Sequence, residues 1–187
     1  FFFFLIAKSN NATTQEVLYD YMLKDEGHAM GMMPIFNYVD GNHDVIREML
    51  LHPQAVSGLS DGGAHCGMIC DASIPTFMLS HWTRDRTRGE KLPLEWIIKK
   101  QTLDTASLYG LSDRGSLKVG KRADLNVIDY EALTLHGPKM AHDLPAGGRR
   151  LLQEATGYDY TIVAGQITRD HGKDTGKRPG HLIRGAR

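Results

Sequence analysis

Ala55-Val56-Ser57-Gly58-Leu59-Ser60-Asp61-Gly62-Gly63-Ala64-His65 carries a short apolar run straight into an aspartate and two glycines. The run Ala55 to Ser60 predicts a buried strand. In α/β folds the C-terminal ends of strands open onto the functional pocket, so Asp61 is predicted at such an end. A carboxylate there can ligate a metal or exchange a proton with a bound water. Gly62 and Gly63 let backbone and substrate approach closely. An aspartate beside glycine also caps turns, and the pattern alone leaves both roles open.

Working back toward the start, Asn42 can cap a helix with Val45, Ile46, Met49 and Leu50 on its inner face, stopped by His52-Pro53. Met30 to Tyr38 is a mostly apolar run and predicts another strand buried on both faces, with Met30, Met32 and Met33 as core filling. Before it, Thr13 to Glu26 predicts a helix. Thr13 and Glu16 form a capping-box pair, Val17, Leu18, Tyr21 and Met22 share a face, and Gly27 ends the helix. The first sixty residues therefore read helix, strand, helix, strand. That order implies parallel strands joined by crossover helices. An open doubly wound sheet and a (β/α)8 barrel both fit it. Phe1 to Ala7 is too short to span a bilayer and lacks the basic start of a signal peptide. It is expected to be either a barrel strand cut from its context or a poorly determined end, in a chain that begins in mid-domain.

Toward the end of the chain, helices are predicted over Pro75 to Trp82, Pro93 to Gln101 and Asp104 to Tyr109. Past Gly110 glycine and proline become frequent. Leu125 to Asp129 predicts a strand, and Tyr158 to Val163 and Gln166 to Asp170 predict a hairpin around Ala164-Gly165. A domain boundary is therefore expected near Gly110, giving 1–110 and 111–187.

The bulk properties narrow the function classes. The 187 residues are 41% hydrophobic, enough for a core. The 22 basic and 22 acidic residues cancel, so nothing in the charge balance points to nucleic acid or an anionic membrane. Two close cysteines, Cys66 and Cys70, are no disulfide framework, and a reducing, cytoplasmic compartment is expected. The glycine-rich loop lacks the lysine and the spacing of a phosphate-binding motif. His65, Cys66, Cys70 and His81 have a tolerable spacing for a structural zinc, although free cysteine is more often a small buried hydrophobe. Arg84, Arg86 and Arg88 form a basic cluster in which one member can meet a substrate carboxylate.

Several blocks resemble one family. Ser60-Asp61-Gly62-Gly63-Ala64-His65 looks like the last barrel strand of amidohydrolases. Thr105-Ala106-Ser107-Leu108-Tyr109-Gly110-Leu111, Asp113-Arg114-Gly115-Ser116-Leu117 and Gly120-Lys121-Arg122-Ala123-Asp124-Leu125-Asn126-Val127-Ile128-Asp129 are similar to that family's return from barrel to β-sandwich. Phe36 to Asn42, Cys70 to Thr76 and His142 to Arg150 resemble its N-acyl-D-amino-acid deacylase branch. The resemblance runs from about Thr13 to the end.

The resemblance implies an α/β fold: the last strands and helices of a metal-dependent (β/α)8 barrel, followed by part of a small β-sandwich. It implies hydrolysis of a non-peptide amide in a small-molecule N-acyl amino acid, with one or two zinc ions in the complete enzyme. Asp61 is implied as catalytic residue and metal ligand, taking a proton from the attacking water and giving it to the leaving amine. His65 and Gly63 are implied in substrate binding, and Asp124 and Asp129 as structural. An oligomer is compatible with all of this. The family's H-x-H ligand pair occurs nowhere in the chain, and its nine histidines match no family ligand. Catalytic zinc takes three protein ligands, so the chain is expected to be a fragment, inactive alone. Two rivals are a cyclic-amide hydrolase of the dihydroorotase or hydantoinase kind and a structural fragment without activity.

Overall fold

The computed structural model describes residues 2–32, 36–58, 60 and 67–184. It divides into two compact units, Phe1–His43 and Asp44–Arg187.

In the first unit, α1 (Phe2–Asn10) is a helix where a strand was expected. An apolar run by itself does not distinguish the two. Here Asn11 takes a left-handed φ of 50° and the Ala12 N–H returns to the Ala7 carbonyl, which closes a helix C-terminus. Ala7 is buried, and the Phe3 ring meets Tyr21 edge-on at 5.2 Å. The next helix, α2 (Thr14–Met22), carries the predicted capping box. The Thr13 N–H donates to Glu16 Oε2 at 2.8 Å, and the Glu16 N–H donates to Thr13 Oγ1 at 3.2 Å. The hydrogen bonds from Thr13 hold the Glu16 carboxyl below its ordinary pKa. The helix stops sooner than expected. In the turn α3 (Lys24–Gly27), Asp25 and Glu26 take positive φ, which breaks the right-handed path.

The run Met30–Tyr38 corrects the sequence reading. None of its described residues is in a strand, and Met32 and Phe36 are 89% and 80% exposed. Met30 and Met32 are therefore not core; Met33 lies outside the described residues. A strand buried on both faces takes its ladder bonds from neighbours on two sides. Among the described residues no strand lies beside this run. Gly31 and Pro34 weaken it further as a strand.

The second unit starts with α4 (Asp44–Leu51), which ends before His52-Pro53 as predicted. Ile46 and Leu50 pack on the core while Val45 and Met49 stay exposed, so the buried face is half as wide as expected. Residues 55–58 and Ser60 are not in a strand. After a 3-10 turn at Asp71–Ser73 comes α5 (Ile74–Ser80), widened by a π turn over His81–Asp85. Next are α6 (Leu94–Lys99), a second π turn over Lys100–Asp104 and α7 (Thr105–Leu108). Met78, Trp82, Leu92 and Ile97 form the core of these helices, with Ile74, Phe77, Leu79 and Trp96 packed around it.

The strands follow: β1 (Leu125–Ile128), β2 (Thr134–Leu135), β3 (Lys139–Leu144), β4 (Gly148–Leu152), β5 (Ala155–Thr156), β6 (Tyr158–Val163), β7 (Gln166–Asp170) and β8 (Lys173–Asp174). They form a four-stranded sheet in the order β1-β6-β7-β8 and two pairs, β2-β5 and β3-β4. All pairings are antiparallel. The β6–β7 hairpin turns through Ala164 and Gly165, both at positive φ, the turn that suits strand twist. The fold is thus mixed α/β, with helices first and antiparallel strands after them.

Candidate functional site

Asp61, Gly63 and His65, the predicted catalytic and substrate-binding residues, lie outside the described residues, as does Cys66. What the structure does describe is the frame on either side of them. Upstream, α4 is held at two points. The Asp44 carboxylate takes a hydrogen bond from Arg86, and Arg47 Nη2 donates to Glu90 Oε2 at 2.6 Å. Further along, the Lys100 ammonium donates to the Ala55 carbonyl, at the head of the run that ends in half-buried Ser60. Downstream, Ser73 Oγ donates to the Cys70 carbonyl at 3.2 Å and to Gln153 Oε1 at 2.5 Å. Thr76 and Tyr158 share a hydroxyl hydrogen bond at 2.8 Å. The start of α5 is thereby fixed to the strands that follow.

The arginine cluster is structural wiring rather than a free basic face. Arg84 donates to the carbonyls of Tyr130, Glu131 and Leu133, the last at 2.6 Å, and pairs with Asp85 at 2.6 Å. The side-chain bond with Asp85 raises the Arg84 pKa and lowers that of Asp85. Arg86 is buried, lies 4.7 Å from the Trp82 ring and donates through Nε to the Arg88 carbonyl at 2.7 Å. Its Nη1 is buried with no hydrogen-bond partner among the described residues. Asp124 and Asp129 are engaged in local hydrogen bonds around the strands. Asp124 accepts the Ala164 N–H at 2.9 Å and Arg122 Nε at 2.8 Å. Burial acts to raise its pKa, but those bonds and the charges of Arg122 and Arg114 bring it below the ordinary value. Asp129 Oδ1 accepts the Ala132 N–H at 3.1 Å.

Two residues of the alternative zinc set are described. Cys70 is half-buried, and burial followed by the charge of Asp71 pushes its thiol pKa up, favouring the neutral thiol over the ligating thiolate. The His81 ring stacks on Phe77 at 4.5 Å and 9°. Among the described residues no group of three or more His, Cys, Asp or Glu side chains is placed to hold a metal ion.

Lys100 is the feature that the sequence reading passed over. It is 3% exposed, one helical turn beyond the fully buried Ile97. A lysine three residues after a core residue, ahead of a polar stretch, usually marks a helix end. The signal that separates this case is the shared face of positions 97 and 100.

The comparisons with known proteins bear on the whole of this frame. The sequence profile of the amidohydrolase family matches residues 21–169. The chain belongs to the amidohydrolase family. No curated protein and no solved structure matches it. Amidohydrolases are hydrolases and commonly use metal ions. The matched span brackets the Ser60–His65 block and continues into β7, ending at residue 169. The described residues of this amidohydrolase do not themselves compose a metal centre.

Proposed function

We propose that the protein to which these residues belong is an amidohydrolase acting on the amide of an N-acyl amino acid, most simply of D configuration. The family match across residues 21–169, inside which the Ser60–His65 block falls, supports the hydrolase class; the N-acyl amino acid substrate rests on the resemblance of Phe36–Asn42, Cys70–Thr76 and His142–Arg150 alone. On this reading Asp61 takes a proton from the attacking water and passes it to the leaving amine. Gly63 leaves room for the substrate, and His65 contacts it. The metal is zinc, with Asp61 as one ligand and the others outside the described residues. We assign 1–110 to the last part of a (β/α)8 barrel and 111–187 to a β-sandwich. The partner is a small molecule, not nucleic acid or a membrane; among the described residues no helix is long and apolar enough to cross a membrane. A cytoplasmic location and an oligomeric enzyme belong to the same reading.

The test is Asp61→Asn in the enzyme, assayed on paired N-acyl-D- and N-acyl-L-amino acids beside a cyclic amide. Asparagine keeps the shape but carries no proton, so turnover is expected to fall by about 10²–10⁴-fold. A variant with kcat near wild type would rule out Asp61 as proton carrier. Turnover of the cyclic amide alone would replace the substrate class.

A further inference from the structure

The turn between β7 and β8 sets the two ring nitrogens of one histidine against carboxylates from two sources, one on β6 and one at the end of β7. Asp170 pairs with Lys173, so the turn consists of His171 and Gly172, at φ 44° and 78°. Positive φ at both positions makes the tight hairpin turn that follows strand twist. The His171 N–H donates to the Asp159 carbonyl at 2.7 Å, which fixes the backbone beneath the ring. The imidazole then touches both strands. Its Nδ1 lies 2.6 Å from Asp170 Oδ1, and its Nε2 lies 3.7 Å from Asp159 Oδ1. The ring meets that of Tyr160, also on β6, at 5.5 Å and 76°.

A neutral imidazole has one N–H and can donate to only one of the two carboxylates; an imidazolium donates from both nitrogens. Protonation therefore turns a one-sided contact into a bridge from the turn to β6. The side-chain bond with Asp170 raises the His171 pKa; slight burial and the charge of Lys173 on β8 act against this, and the charges of Asp170 and Asp159 add to it. Arg169 also serves the turn, donating through Nη1 to the Gly172 carbonyl at 2.9 Å, a bond that does not depend on the histidine's state. Beyond the turn, the Thr175 N–H donates to the Thr168 carbonyl at 3.1 Å, and Arg178 pairs with Asp174. We propose that His171 is a pH-sensitive latch: as imidazolium it ties the β7–β8 turn to β6 through Asp159 and Asp170, and on losing its proton it lets go of Asp159. A histidine raised in the folded state contributes in full below its ordinary pKa of about 6.5, and the contribution is lost as pH rises through the folded-state value. The latch thus holds β8 and the segment after it more firmly on the acid side of neutrality.

NMR of the full chain tests this, following the His171 ring and the protection factor of the Thr175 amide from about pH 5.5 to about pH 8.5, the range in which histidine changes charge. The ring should titrate above about 6.5. Protection at Thr175 should be about two- to fivefold higher at the acid end, the scale of exposed ion pairs. His171→Asn suits the positive φ and does not titrate, so the acid-side gain should vanish while the β6–β7 hairpin stays protected. Asp159→Asn should lower the titration point of His171 and shrink the gain, leaving the Asp170 contact in place. A ring titrating at or below its ordinary value would overturn the proposal. The same gain in His171→Asn would place the responsible proton elsewhere and overturn it too. An undiminished gain in Asp159→Asn would remove the bridge to β6. Should one variant lose the hairpin, the wild-type titration and the other variant still decide.

Discussion

The hairpin Tyr158–Asp170 and the run Met30–Tyr38 are both rich in apolar and aromatic side chains, and they meet different fates. The hairpin brings its own partner. Its turn residues, Ala164 and Gly165, direct β7 back along β6, and β1 then pairs on the other side of β6. Asp124 ties the turn to the entry of β1 through the Ala164 N–H. Every β6 residue is at least half-buried. The run Met30–Tyr38 has no such neighbour among the described residues, and its Met30, Met32 and Phe36 side chains are exposed. Apolar content sets how much can be gained by burial; a partner close in sequence decides whether it is gained.

The comparison breaks most sharply at Gly157, which leads into β6. It has φ +95°, and a Cβ there would lie 2.6 Å from Leu133 Cα and 2.8 Å from Leu133 N, both backbone. Leu133 is fully buried. Gly157→Ala therefore combines left-handed strain with overpacking and should destabilise the chain by about 2–4 kcal/mol. Urea unfolding with an unchanged m-value measures it. A cost under about 0.5 kcal/mol would mean that β6 does not depend on this close approach. At the turn the sign reverses. Ala164 holds φ 48°, a strained value for alanine and an easier one for asparagine. Ala164→Asn should stabilise by about 0.5–1 kcal/mol. A loss of stability would show that the turn is held from outside rather than by its own residues.

The same contrast explains what was legible in the sequence. Thr13 with Glu16, the α4 stop at His52-Pro53, and the Ala164-Gly165 turn all act over a few residues, and each appears where the residues predict it. The strands at Met30–Tyr38 and Ala55–Ser60 required partners that no local signal specifies. The helix at Phe2–Asn10 is the converse: an apolar run whose type was set by a C-terminal cap at Asn11. At the candidate site the motif around Asp61 was readable because glycines and a carboxylate follow an apolar run. Lys100 was not, because a buried lysine looks like any surface lysine until its helix face is known.

On the exposed side of the comparison, Met32→Gln tests whether the open run matters to folding at all. Met32 is 89% exposed, so stability should stay within about 0.5 kcal/mol. If the chain self-associates through this run, the variant should sediment as a smaller species than the wild type, since exposed apolar side chains favour contact between copies. Unchanged sedimentation would rule the run out as a contact surface.

The smallest effect belongs to the far edge of the four-stranded sheet. Asp174, in β8, accepts two hydrogen bonds from Arg178, at 2.6 and 2.9 Å, and one from the Gly176 N–H at 2.8 Å. The bonds from Arg178 first, and then that of Gly176, lower its pKa to about 2. A carboxyl depressed in the folded state favours folding above its unfolded pKa of about 4, and that contribution fades as pH falls through about 2. The exposed position of Asp174 at the sheet edge confines the consequence to this edge. Between those two pH values the β7–β8 turn should loosen, while the β6–β7 ladder, held by main-chain bonds and its own turn, persists. Following the Asp174 carboxyl and the amide shifts of β6 and β8 by NMR across that range checks it. Simultaneous loss of β6 and β8 would mean that the hairpin is not the self-sufficient element that its turn and pairing make it.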